Sequence, residues 1–219
     1  MTDVRKPRRR SATASRTNDP ERTKANIIQV ATEEFSEVGY SGARIDRIAD
    51  RMHTSKRMIY YYFGSKEALY SAVLLEYYRK LRGAEADLQL DEKPPLEALK
   101  ELVEFTFDYH AANADNVRLV MVENIHKGRH IKQMPSLEPI NTAVIDMVGR
   151  ICARGAESGV IRGDVKPWDI YTSIAALCFF NVSNRYTFSA IFNHDMISDE
   201  AATARRAEVV DMVIRYVKA

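Results

Sequence analysis

Residues 39–69 constrain this chain more than any other stretch. Ile45, Ile48 and Ala49 stand at i, i+3 and i+4, one apolar stripe of a short helix, and Met52 extends it. His53-Thr54-Ser55 interrupts the pattern; Met58, Ile59 and Phe63 resume it. Lys56, Arg57, Tyr60, Tyr61 and Tyr62 are left to face outward. Two short helices around a turn of about three residues, the second presenting cations and aromatics, make the layout of a helix-turn-helix that reads a major groove. Ser55 suits the N-cap of the second helix.

The stretch resembles the TetR family of bacterial transcriptional regulators. Gly39-Tyr40, Ile48-Ala49, Ser55, Ile59-Tyr60, Tyr62-Phe63 and Ser65-Lys66-Glu67-Ala68-Leu69 match the family pattern in register, and the resemblance is strong over residues 22–75. Two positions depart from it. Ala43-Arg44 replaces hydroxyls that often cap the first helix and touch phosphate. His53 replaces the usual turn glycine, which implies a left-handed backbone at a residue that adopts it at a cost.

The rest of the chain reads as helical. Helix patterns run over about 21–37, 45–51, 56–62, 66–81, 96–112, 116–127, 136–157, 168–186 and 199–218, and no segment sustains strand alternation. The expected fold class is therefore all-α, with about nine helices. A basic arm spans residues 1–20, a helix-turn-helix three-helix domain spans 21–66, and a larger helical ligand-binding and dimerisation domain spans 67–219. Residues 1–66 hold 14 Lys/Arg against 8 Asp/Glu, whereas residues 67–219 hold 18 against 22. A basic front joined to a mildly acidic remainder fits a DNA-binding unit followed by one with another task. The run Arg5-Lys6-Pro7-Arg8-Arg9-Arg10 has two readings, a solvated tail or an arm along the DNA backbone or minor groove.

No catalytic constellation, phosphate-cradling loop or cofactor motif emerges, so the chain is not expected to be an enzyme. His126 and His130 are four apart, but Gly128 intervenes and no third ligand completes a metal site. Cys152 and Cys178 show no ligand spacing and suggest reduced thiols in a cytoplasm. No apolar run reaches about 18 residues, and no apolar segment follows the basic start, so neither a membrane span nor a secretory signal is expected.

Geometry assigns the expected DNA contacts. Lys56 and Arg57, in the first turn of the reading helix, are placed for base edges. Ser55, Tyr60 and Tyr61 are placed for phosphate or sugar, and Arg44 and Arg47 for neutralising the backbone. Met58 reads equally as a thymine-methyl contact or as core. Lys66 sits at a helix N-terminus, where the dipole disfavours a cation, and a phosphate contact would explain it.

The resemblance further implies a small effector held among helices 4 to 8. Polar residues on otherwise apolar stripes are the candidates: Asn124 with Val117, Val120 and Met121; Cys178 and Asn181 with Ile170, Ile174 and Leu177; His110 with Leu99, Leu102, Val103 and Thr106. Each needs a partner, either a ligand or a neighbouring helix. Phe105, Phe107, Tyr109, Met147 and Phe179 are candidate cavity walls; Glu123, His126 and Arg129 are candidates for binding a polar effector or for lining its rim. Helix 9 carries Val209, Val210, Met212, Val213, Tyr216 and Val217, more apolar surface than one core needs, which suggests a homodimer through the last two helices. The resulting expectation is a repressor of a palindromic double-stranded operator, released by a small molecule. The alternative is a DNA-binding protein of the same fold without an effector, regulated by a protein partner or acting globally, which an effector-sized cavity behind Asn124 and Asn181 would distinguish.

Overall fold

The computed structural model describes residues 19–219; residues 1–18 of the expected basic arm lie outside them, and its last two, Asp19 and Pro20, open the first helix. The described residues form ten α-helices, with two 3-10 turns, no β-strand, and one antiparallel bridge between Ile161 and Lys218. The first four are α1 (Pro20–Gly42), α2 (Ile45–Arg51), α3 (Lys56–Phe63) and α4 (Lys66–Ala86). A 3-10 turn at Leu90–Glu92 leads to α5 (Pro95–Ala112) and α6 (Ala114–Ile125). A second, at Ile131–Gln133, leads to α7 (Leu137–Glu157), followed by α8 (Pro167–Ser183), α9 (Arg185–Phe192) and α10 (Asp199–Val217). No described helix is long and apolar enough to cross a membrane.

Local chemistry explains the front end. The Asp19 carboxylate accepts the N–H groups of Glu21 and Arg22, and Pro20 follows with its preset φ. Ile27, Ala31 and Phe35 repeat every fourth residue and are fully buried. Gly39 takes φ 71°, which a side chain resists, and breaks the helix close to its expected end at residue 37; one further turn carries on to Gly42. Val38 lies just before this break and is exposed. The Ser55 and Ser65 hydroxyls accept the N–H groups of Met58 and Ala68, so each caps its helix three residues back. His53 adopts φ 51°, the left-handed turn inferred from its place in the sequence.

Two apolar cores result. The first gathers Ile27, Phe35, Ile48, Ile59, Leu69 and Tyr70, with Leu119 of α6 inserted into it. The second joins α5, α7, α8 and α10 through Leu99, Leu102, Ile151, Ile174, Cys178 and Val213. The tenth helix is a correction. Residues 185–192 were expected to be the tail of helix 8 and then irregular chain. Instead Asn184 ends one helix and α9 begins, held by Phe188 packed edge-to-face at 4.8 Å on Phe180 and tilted at 5.0 Å against Phe192.

Candidate nucleic-acid interface and effector cavity

The turn holds α3 with its apolar side down. Ile59 is buried, whereas Lys56, Arg57, Tyr60 and Tyr61 are exposed, Tyr61 by 79%. Pro20 at the start of α1 shares a surface recess with Ser55, Arg57, Met58, Tyr61 and Tyr62. Met58 is half-buried and faces this recess.

The cations around this surface divide by partner. Lys56 Nζ lies 2.5 Å from the Asp46 carboxylate, and Arg44 reaches the same carboxylate at 3.4 Å. Arg47 pairs at 3.5 Å with Glu34, whose side chain is fully buried, and Arg51 pairs with Glu33. Among the described residues Arg57 has no carboxylate within ion-pairing distance. No side chain caps α2 at Arg44; instead Glu34 of α1 accepts the Arg44 backbone N–H at 3.1 Å and ties the start of α2 to α1. The Lys66 ammonium lies 4.8 Å from the centre of the Tyr40 ring. Burial there holds the ammonium below its ordinary pKa, against the opposing pull of Glu34.

A second site opens among α4, α5, α6, α7 and α8, a cavity of about 530 Å³. Arg82 forms its polar wall. This side chain donates to Tyr171 Oη at 2.6 Å and to Asn141 Oδ1 at 3.1 Å, and it pairs with buried Glu85. The Arg82–Glu85 pair leaves the wall with no net charge. His110 faces the same space with Nδ1 unpartnered, and burial, aided by Arg82, pushes its pKa down to about 4. The imidazole is therefore neutral at physiological pH, with one donor and one acceptor.

The effector candidates from the sequence are not gathered in this cavity. Of them, only His110 and Phe179 line it. The Phe105 and Tyr109 rings pack against each other in a tilted pair, 5.4 Å between centres. Cys178 is sealed in the second core with its thiol 3.9 Å from the Val103 carbonyl, and burial pushes its pKa up to about 12. Met147 lines a neighbouring recess with Arg82 and Glu85. Met121 and Asn124 line a shallow groove against Phe179 and Phe180, and Asn181 lines another with Phe188 and His194. Asn124 does not share the buried face of α6. It is exposed and donates to its own helix at Val120 O, while Val117, Leu119 and Glu123 are the residues buried. Glu123 is likewise no rim residue: it is 1% exposed and accepts from the backbone N–H groups of His130 and Ile131. His126 and Arg129 are exposed. Tyr77, Tyr78, Arg82, Asn141 and Tyr171 line the cavity without having been singled out in the sequence.

Comparison with known proteins agrees with this architecture. Residues 27–73 match the family model "Bacterial regulatory proteins, tetR family", and residues 95–213 match "Tetracyclin repressor-like, C-terminal domain". The chain belongs to the TetR family of DNA-binding transcriptional regulators, not to a family of enzymes. It is 35% identical over 203 residues to the HTH-type transcriptional repressor NicS of Pseudomonas putida, covering 93% of this chain and 96% of that one. The repressor SCO4008 of Streptomyces coelicolor is 36% identical over 110 residues, half of this chain and 54% of its own. The crystal structure of a putative transcriptional regulator, SCO4942 of Streptomyces coelicolor, superposes with a TM-score of 0.65 at 27% identity, over 89% of this chain and 98% of that one. A putative regulator from Saccharomonospora viridis, solved with choline, shares the fold with a TM-score of 0.72 at 17% identity, over 91% and 99%.

Proposed function

We propose that this protein is a transcriptional repressor that binds a palindromic operator as a homodimer and leaves it when a small molecule enters the cavity beside Arg82. The observation that carries this reading is a shared wall. Ile131 and Met134 line the cavity and also pack against the core that supports α3. A ligand that displaces these side chains shifts the support of the reading helix, and with it the spacing of two heads that must fit successive grooves. The two relatives named repressors support the direction of control. The exposed apolar side chains Phe180, Ile191, Phe192, Met212 and Tyr216 on α8, α9 and α10 support a partner copy there. In this reading Arg57, Ser55, Met58, Tyr60 and Tyr61 meet the DNA directly, and Arg44, Arg47 and Lys56 flank them. Asn124 and Asn181 lie outside the effector site.

The test begins with an operator selected from random duplex DNA. Two chains should bind each palindromic duplex, and Arg57→Ala should weaken that complex by about 1–3 kcal/mol if the guanidinium makes a bidentate base contact. A metabolite library screened for operator release then supplies an inducer. Ala175 lines the cavity, and Ala175→Trp should retain operator binding while abolishing release. A variant that binds operator and responds to the inducer as well as the parent would move the effector elsewhere.

A further inference from the structure

The reading surface carries an acidic side chain among its cations. Asp46 lies in the first turn of α2, and its carboxylate faces the N-terminus of α3. Oδ1 holds Lys56 Nζ at 2.5 Å and Oδ2 holds Arg44 Nη2 at 3.4 Å. The two cationic side chains are 56% and 70% exposed, so nothing else confines them. Lys56, by pairing and attraction, and then Arg44 hold the Asp46 carboxyl below its ordinary pKa, and it stays ionised wherever the protein binds DNA. Arg57, the next residue along α3, has no such partner among the described residues.

We propose that Asp46 is a positioning residue for operator recognition: it holds Lys56 and Arg44 back from the phosphates and so suppresses sequence-independent binding. This rests on the placement of α3 as the reading helix. Binding to any duplex is driven by cations that displace counterions from phosphate, and its strength depends on how many cations do so. A lysine already paired with a carboxylate must give up that pair to reach a phosphate. The carboxylate left behind then faces the negatively charged backbone at close range, an unfavourable like-charge approach. Neither cost applies to Arg57 or to the apolar and aromatic contacts of Met58, Tyr60 and Tyr61. Asp46 therefore weakens the electrostatic part of binding more than base reading, and the ratio of operator to random-sequence affinity rises.

The substitution that tests this is Asp46→Asn, which keeps size and polarity at a partly exposed site. Binding of full-length protein to a random-sequence duplex and to the selected operator would be followed by fluorescence anisotropy across potassium chloride concentrations. D46N should bind the random duplex more tightly than the parent at low salt. Its plot of log K against log salt should be steeper by about 0.9 for each cation released to a phosphate, or about 1.8 for both. With both released, the advantage of D46N over the parent should shrink about 12-fold between about 50 and 200 mM salt. Adding Lys56→Gln should remove the lysine's share of the gain, and the operator-to-random ratio should fall in D46N. Random-duplex affinity and salt slope equal to the parent's, or lower, would overturn the proposal; lower values would mean that Asp46 presents Lys56 to a phosphate. Arg57→Ala, run in parallel, separates this failure from that of the reading surface itself: if α3 does not read DNA, that variant also leaves operator affinity unchanged.

Discussion

Replacing Glu123 tests how the head is fixed to the rest of the molecule. Its carboxylate, 1% exposed, is the centre of a knot between α6 and the following loop. Oε1 accepts the backbone N–H groups of His130 at 2.7 Å and Ile131 at 3.1 Å. Oε2 meets His130 Nδ1 at 3.0 Å and Tyr70 Oη, from α4, at 3.4 Å. The His130 ring lies 4.6 Å from Tyr40 and 4.8 Å from Tyr70, ring centre to ring centre, so the knot grips side chains from α1 and α4. In Glu123→Leu two backbone donors lose their acceptor in a sealed place, and each unpaired group costs about 1–3 kcal/mol. The loop carries two left-handed residues, Lys127 and Gly128, and can open enough for water to recover part of that loss. The expected total is about 3–5 kcal/mol, with the smaller losses at Tyr70 and His130 included.

Glu123→Gln separates the pattern of acceptors from the charge. The retained oxygen still serves both backbone N–H groups. The new amide meets His130 Nδ1, which accepts once the imidazole proton moves to Nε2, and the Tyr70 hydroxyl can turn to accept. Charge assistance is lost, and the proton moves to Nε2, which is buried without a partner, so the cost is about 2–3 kcal/mol. Urea unfolding of the three proteins gives both numbers. A Leu variant within about 1 kcal/mol of the parent, or a Gln variant as damaged as the Leu one, would refute the reasoning. The pH dependence supplies a second check. Burial raises the Glu123 carboxyl, but the side chain of His130 and the N–H groups of Ile131 and His130 outweigh it and hold the pKa below its ordinary 4.5. The stabilisation is therefore complete above 4.5 and is lost as pH falls through the lower folded value, a dependence that E123Q should lack.

Two further outcomes follow from packing and burial. A Cβ at Gly155 of α7 would sit 2.6 Å from Ile161 Cγ1 and 2.8 Å from its Cβ, so Gly155→Ala should lose about 3 kcal/mol despite its better helix propensity; an unchanged Tm would show that the α7–α8 connection yields easily. His110 titrates near 4 when folded and near 6.5 when unfolded, so as pH falls from about 6.5 to 4 the unfolded chain takes up a proton that the folded chain refuses; parent stability should drop across that window relative to His110→Gln, and parallel stability–pH curves would exclude it.

What the sequence revealed was short-range. The reading head follows from side chains a few residues apart: Ser55 capping Met58, Ser65 capping Ala68, the i, i+3, i+4 stripe through Ile45, Ile48 and Ala49, and the left-handed turn at His53. Beyond about one helical turn, the same chemistry stops being visible. Lys56 and Arg57 are adjacent cations of one helix, and what separates them is Asp46 on another helix. Arg82 stands three residues after Arg79 in a basic run, and only its contacts with Tyr171 and Asn141 set it apart as a cavity wall. Asn124 misled because α6 packs against both α1 and α8: Leu119 turns toward the first core and Met121 toward a groove lined by α8, so no single stripe exists on which a polar residue must be buried. The residue buried there is Glu123, an acid that composition assigns to the surface. Its burial is tolerable only because the loop seven residues later folds back to supply the donors. Such a site is assembled by closure of the fold. The buried acid that fixes α6 to the head was thus the residue a pattern of hydrophobicity was bound to misplace.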